Sequence, residues 1–361
     1  MPRKINSFYL ILQLILKIIV LCHNLLRIRE KQKIMKILGI GNALVDILIQ
    51  LQDDELLKKF KLPKGSMTLV DEDMSHLILK EASGLPQKKA SGGSAANTIY
   101  GLASLGLETA FIGKISDDES GRFFRNDIII NNICPFLFQS LTNTGKAITL
   151  ITPDSERTFA TYLGASIELS ANDLKAEIFK GYDLFYVEGY IILNRELISK
   201  ALKLASMAGL TIAMDLASYN VVRENREFLY DLLKKYVNIV FANEKEAKEL
   251  TGLEPYQAAE VLSEFCNKVI VKTGTKGSIV RYKKETIKIE PVKSNPVDTT
   301  GAGDLYASGF IYGLSRGASP HTCGLLGSVL AGKVIENIGA RMNEPTWKAL
   351  RKYLNDEIIS L

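Results

Sequence analysis

Residues Asn295–Phe310 read NPVDTTGAGDLYASGF. Within it, Asp298–Asp304 packs two threonines, two glycines and two aspartates into seven residues, and an apolar pattern follows. The first turn of a helix carries unpaired N–H groups and the positive end of the macrodipole, so it attracts anions. Gly301 and Gly303 let a bulky charged group approach the backbone closely. Asp304 is out of place there unless it has chemistry to do, because its carboxylate repels the anion. It fits if it removes a proton from the group that attacks a phosphate. The plainer alternative is a glycine-rich turn capped by an Asp.

Four other stretches argue against the plain alternative. SGGSAANT (Ser91–Thr98) sets Gly92 and Gly93 before a helix with Asn97 on its first turns, which can bring backbone and amide against a polyol. GIGNALVD (Gly39–Asp46) puts Asn42 and Asp46 at a strand end. A carboxylate there can accept from paired hydroxyls, or it is a surface Asp after a turn. NEKEAKEL (Asn243–Leu250) follows the apolar VNIVFA, so Asn243 and Glu246 stand at a strand's C-terminal end, where open α/β sheets bind ligands. They can orient a hydrated Mg²⁺ on phosphates, or simply open a solvated helix. VKTGTKGS (Val271–Ser278) offers Thr273, Gly274 and Gly277 along a nucleotide phosphate path. Two look-alikes fail. GSVLAGKV (Gly327–Val334) has Val334 where a phosphate loop needs Ser or Thr, and GIGNAL has Leu44 where a dinucleotide motif needs its third glycine.

Apolar β-type runs at 36–41, 109–113, 184–188, 210–215, 237–242 and 268–273 alternate with helical patterns at 94–106, 118–131, 194–208, 224–235, 244–251 and 256–265. That alternation predicts βαβ units and a parallel sheet covered on both faces. The stretches after Asp304, at 320–337 and at 345–356 read as a helical C-terminal part. Residues 145–163 instead carry two strand-like runs around a Pro-Asp-Ser turn, a hairpin suited to a lid or a dimer element.

The 361 residues are 47% hydrophobic and 24% charged, as in ordinary globular chains. The net charge of +5 is local: residues 1–34 hold seven Lys or Arg and one Glu, and the remainder is close to neutral. Nucleic acid is therefore not an expected partner. Cys22, Cys134, Cys266 and Cys323 are far apart and read as reduced, mostly buried thiols, which suits the cytoplasm. His23, His76 and His321 are isolated and show no metal-ligand spacing.

Residues 1–34 stand apart. FYLILQLILKIIVLCHNLL (Phe8–Leu26) is apolar but broken by Gln13, Lys17, His23 and Asn24. A span needs about 20 mostly apolar residues. A poor signal anchor, an amphipathic surface helix and sequence upstream of the true start all remain open. The last is favoured, because Met35 opens MKILGIGNALVDIL like a first residue leading into a first strand. A membrane is not an expected partner unless residues 1–34 are a real anchor.

Together the motifs resemble the ribokinase-like (PfkB) family of carbohydrate and nucleoside kinases, from residue 35 to about 345, with DTTGAGDLYASGF and SGGSAANT as the most specific parts. The resemblance implies a domain at 35–361 with a central, mostly parallel sheet flanked by helices and a small β-sheet lid, mainly within about 133–165. It implies Asp304 as catalytic base and the N–H groups of Gly301, Ala302 and Gly303 as an anion hole. Asp46, Gly92, Gly93 and Asn97 would hold sugar hydroxyls. Asn243 and Glu246 would serve Mg²⁺, through water, and the phosphates of ATP. Asp298 and Thr300 would hold a monovalent cation such as K⁺. Asn42 beside Asp46, and Arg157 in SERTFATYLGAS, are similar to the adenosine kinase type. The implied reaction is ATP-dependent phosphorylation of a ribose-like substrate, adenosine to AMP in the leading case, by a monomer or homodimer. A kinase for ribose, fructose or a related sugar is the alternative, and a non-catalytic nucleoside or sugar sensor is the alternative of another class. A chain begun at Met35 is expected to fold and to keep full activity. A large loss of either, measured on the purified protein, would show that residues 1–34 belong to the fold.

Overall fold

A computed structural model describes residues 34–154 and 156–359. The expectations placed on residues 1–33 lie outside the described residues. Met35–Leu361 form one compact unit. Among the described residues no helix is long and apolar enough to cross a membrane.

The strands in chain order are β1 (Lys36–Ile40), β2 (Leu44–Gln50), β3 (Met67–Leu69), β4 (Gln87–Gly92), β5 (Glu108–Ser116), β6 (Ile133–Ser140), β7 (Thr144–Ile151), β8 (Arg157–Gly164), β9 (Leu184–Glu188), β10 (Thr211–Asp215), β11 (Ile239–Asn243), β12 (Lys268–Lys272), β13 (Ser278–Tyr282) and β14 (Glu285–Ile289). Nine form one sheet in the order β14-β13-β12-β11-β10-β9-β1-β5-β6. It is parallel from β12 to β6, and the β13 and β14 pairings are antiparallel. The other five form a small sheet, β3-β8-β7-β2-β4. The fold is α/β, a mostly parallel sheet with a second, small sheet beside it.

The large sheet is buried on both faces, which is why its strands read as continuous apolar runs. Along β1, Ile37 faces one core while Leu38 and Ile40 face the other. The first core is closed by the helices Ser94–Ser104, Ala302–Ser315, Pro320–Val334 and Glu344–Ile359, and by the inner face of the small sheet. The second is closed by Arg195–Met207, Arg226–Tyr236, Glu244–Thr251 and Pro255–Leu262. Asp118, Asn194, Asn243 and Ser319 cap their helices with side-chain hydrogen bonds.

Three differences from the sequence reading have physical causes. The lid expected mainly within about 133–165 is built differently: Ile133–Ser140 is β6, the edge of the large sheet, and the small sheet draws on 44–50, 67–69 and 87–92 besides the hairpin β7–β8. Pro135 is tolerated in β6 because β6 pairs only with β5, and an edge strand can lack a donor. The helix expected at 224–235 is two helices, Tyr219–Glu224 and Arg226–Tyr236, because Asn225 leaves helical geometry and caps the Val221 carbonyl instead. Cys134 is exposed, while Cys266 and Cys323 are buried as expected.

The helix Ala302–Ser315 is buried for most of its length, and Phe310 stands edge-on to Phe241 of β11 with ring centroids 5.5 Å apart. This contact fastens that helix to the sheet. Phe310→Ala is expected to cost about 3–5 kcal/mol, the range for emptying a packed aromatic site. Denaturant unfolding of the purified variant checks it.

Candidate active site

In the large sheet β1 leads off to β5 on one side, while β9 lies on its other side. This is the switch point at which open α/β sheets form a crevice beyond their strand ends. Glu188 ends β9 there and is 1% exposed. Its carboxylate accepts from the backbone N–H of Asn42 at 2.9 Å, from the Asn42 side-chain amide at 2.8 Å and from the N–H of Ala95 at 2.9 Å. Asn42, expected at the substrate, thus gives its amide to Glu188. Burial, partly offset by those bonds, pushes Glu188 up to about 7.

Asp304 sits on the first turn of Ala302–Ser315, whose N-cap Gly301 is left-handed at φ 77°. A side chain at 301 would also meet the Cβ of Ala340, so glycine is required twice over. Ser94 donates to one oxygen of Asp304 at 2.8 Å and the amide of Asn97 to the other at 3.0 Å. Asn97 was expected on the sugar; its nitrogen instead orients Asp304, while its oxygen is buried with no partner. Burial drives the Asp304 pKa up to about 6 against these two bonds. The Ala302 N–H makes a long bond, 3.2 Å, to the Thr299 carbonyl.

Asp46 lies directly over Gly92, where any side chain would collide with its carboxylate. Gly93 turns the chain at φ 98° against the Asn42 carbonyl. Burial raises Asp46 to about 7, with the Arg341 guanidinium pulling the other way and Asp304 adding to the rise. Arg341 stacks on Tyr100, 3.6 Å from the ring centre, and donates to the Ser91 carbonyl at 2.5 Å.

Arg157 leaves the lid hairpin and bonds the Thr300 hydroxyl at 3.1 Å and the Val297 carbonyl at 3.3 Å, and it pairs with Asp298. It therefore binds the segment before the glycine turn rather than standing free for substrate. Asp298 also accepts from the N–H groups of Thr300 and Gly339. The side chains assigned to K⁺ are thus engaged by a guanidinium and backbone donors.

Asn243 and Glu246 form a reciprocal capping box, so both Glu246 oxygens accept from Asn243 and the carboxylate is 2% exposed. Among the described residues no cluster of three acidic, His or Cys donors is suited to a metal. Thr273 donates its hydroxyl to the Gly277 carbonyl at 3.0 Å, and Gly277 has φ 88°, so both shape the β12–β13 turn. Gly274 faces open space.

The sequence reading missed Ser94, Glu188, Arg341, Asp215 and Lys272. Lys272 ends β12 and bonds Asp215, the end of β10, at 2.7 Å. Glu188, Asp215 and Lys272 share one signal, a charged residue closing an apolar strand at its C-terminal end.

Residues 67–347 match the pfkB family of carbohydrate kinases. The chain belongs to that family. Adenosine kinase from Sinorhizobium meliloti superposes with a TM-score of 0.79 at 35% identity, covering 89% of this chain and 99% of that one. A probable sugar kinase from Rhizobium etli CFN 42 gives the same TM-score and coverage at 32% identity. The 5-dehydro-2-deoxygluconokinase of Listeria innocua is 28% identical over 274 residues, 72% of this chain and 84% of its own length. This PfkB protein is accordingly a phosphotransferase acting on a sugar or nucleoside hydroxyl.

In a PfkB kinase a carboxylate fixed by two donors at a helix start can take the proton of an attacking hydroxyl. Asp304→Asn keeps the shape and removes the acceptor. It is expected to lower kcat by at least about 10²–10⁴-fold while ATP binds as well or slightly better. A base works only when unprotonated, so with Asp304 raised to about 6 the wild-type rate should fall as pH drops through about 6, not about 4 as for an ordinary carboxylate. Steady-state kinetics across pH, with ATP titration of the variant, checks both; a variant keeping more than about a tenth of kcat would leave Asp304 as a helix cap.

Proposed function

We propose that this PfkB kinase transfers the terminal phosphoryl group of ATP to the primary hydroxyl of a ribose-containing substrate, with adenosine to AMP as the leading case. The observation that carries the reading is a pair of half-buried carboxylates in one crevice, close enough to raise each other's cost of ionisation. Asp304 is held by Ser94 and Asn97 at the helix start. Asp46, among the described residues, accepts no side-chain hydrogen bond and lies on Gly92. A half-exposed carboxylate with no side-chain donor of its own is open to hydroxyl donors from a ligand. Paired ribose hydroxyls on Asp46 would leave the primary hydroxyl for Asp304. The likeness to the Sinorhizobium meliloti adenosine kinase is consistent with the nucleoside reading.

Asp304 takes the hydroxyl proton as the oxygen bonds to phosphorus and ADP departs. The N–H groups of the Gly301–Gly303 turn and the helix dipole stabilise the charge that gathers on the transferred group. Mg²⁺, when bound with the nucleotide, neutralises phosphate charge. The lid keeps water from competing with the hydroxyl. A free sugar or sugar derivative as acceptor is the second reading, favoured by the likeness to the Listeria innocua enzyme.

A coupled ATP-consumption assay over nucleosides and sugars separates the two. Adenosine is expected to exceed ribose, fructose and 5-dehydro-2-deoxygluconate in kcat/KM by at least about tenfold, or ~1.4 kcal/mol. A free sugar or sugar acid in first place would overturn the nucleoside reading. Asp46→Ala should cost about 2–4 kcal/mol in kcat/KM for the acceptor, from lost charge-assisted bonds, with KM for ATP little changed.

A further inference from the structure

Gly301 and Gly303 look alike in the sequence but are glycines for different reasons. Gly301 is left-handed, whereas Gly303 is absent from the positive-φ positions. A Cβ at 303 would meet only one side chain within 4 Å: the Nζ of Lys272 at 3.0 Å and its Cε at 4.0 Å. The space a side chain would fill at the helix start is therefore bordered by an ammonium group.

That ammonium comes from the end of β12. Asp215 at the end of β10 accepts one of its three N–H donors at 2.7 Å. Glu246, from the helix Glu244–Thr251, and Asp304, from the helix Ala302–Ser315, also face it. Burial pulls the Lys272 pKa down, but Asp215 and Glu246 outweigh it and keep the group charged. A strut joining β10 to β12 would need no place beside the glycine turn. Here a fixed cation and the positive end of the helix Ala302–Ser315 converge on one small volume.

We propose that Lys272 is a phosphate-binding residue, its ammonium donating to an oxygen of the terminal phosphoryl group of ATP at Gly303 while Asp215 and Glu246 hold it in place. This rests on the kinase reading above. It also explains the small residue at 303: room there is room for the ammonium and the phosphoryl group to meet.

The test is calorimetric titration of the full chain with ATP and with ADP, each with Mg²⁺ and without acceptor, for wild type, Lys272→Met, Lys272→Arg and Gly303→Ala. Lys272→Met should weaken ATP by about tenfold or more, as for loss of a charge-assisted bond, and ADP much less. Lys272→Arg should restore part of the difference. Gly303→Ala, which crowds the ammonium but suits the backbone, should show the same selective loss and carries the test if Lys272→Met does not fold. Equal losses for ATP and ADP, or none, in the folded variants would make Lys272 a strut and overturn the proposal with the kinase reading intact. A wild-type chain that binds neither nucleotide would overturn the kinase reading itself.

Discussion

A single buried carboxylate joins segments that the chain order keeps apart. Glu188 ends β9, Asn42 follows β1, and Ala95 begins the helix Ser94–Ser104; all three meet on the Glu188 oxygens. The bonds span the crevice at the switch point, where the sheet has no backbone ladder of its own to hold the loops. The rest of the site follows from them. Fixing Asn42 fixes the carbonyl against which Gly93 turns, and Gly93 sets the start of the helix that supplies Ser94 and Asn97 to Asp304. The position of Asp304 thus depends on a residue with which it shares no hydrogen bond.

The cost of this arrangement is electrostatic. Asp46, Glu188 and Asp304 are all raised by burial, to about 7, 7 and 6. Each folded-state pKa lies above that of the unfolded chain, so between about pH 4 and 7 the folded state binds more protons and its stability falls as pH rises through that window. The protein bears this cost at neutral pH in exchange for carboxylates that are strong acceptors in a water-poor crevice. Arg341 beside Asp46 and Lys272 near Asp304 offset part of it.

The parallel strands were legible because a sheet buried on both faces demands unbroken apolar runs, as in LFYVE and KVIVK. The lid strands were not. QKKASG of β4 is half polar and exposed at its start, and MTL of β3 has three residues, so each becomes a strand only through its partner. Asp304 and its glycine turn were legible because helix start, glycines and carboxylate lie side by side in the chain. The donors that hold Asp304 lie more than 200 residues away, and no local pattern says that Ser94 will reach it.

Asn42, Asn97 and Arg157, whose side chains the structure pairs within the protein, show where motif reading stops. A motif fixes which side chains enter the site, because backbone geometry follows local sequence. It does not fix what each side chain binds, because a flexible amide or guanidinium pairs with whichever acceptor tertiary packing brings nearest. Arg157 arrives on the hairpin β7–β8 and finds Asp298, 3% exposed and already held by two N–H groups. One guanidinium nitrogen meets the buried carboxylate there, while the others turn to the Val297 carbonyl or stay unpartnered. Lid and glycine turn are thereby tied through one ion pair, so movement of the hairpin reaches the helix start through Asp298 and Thr300.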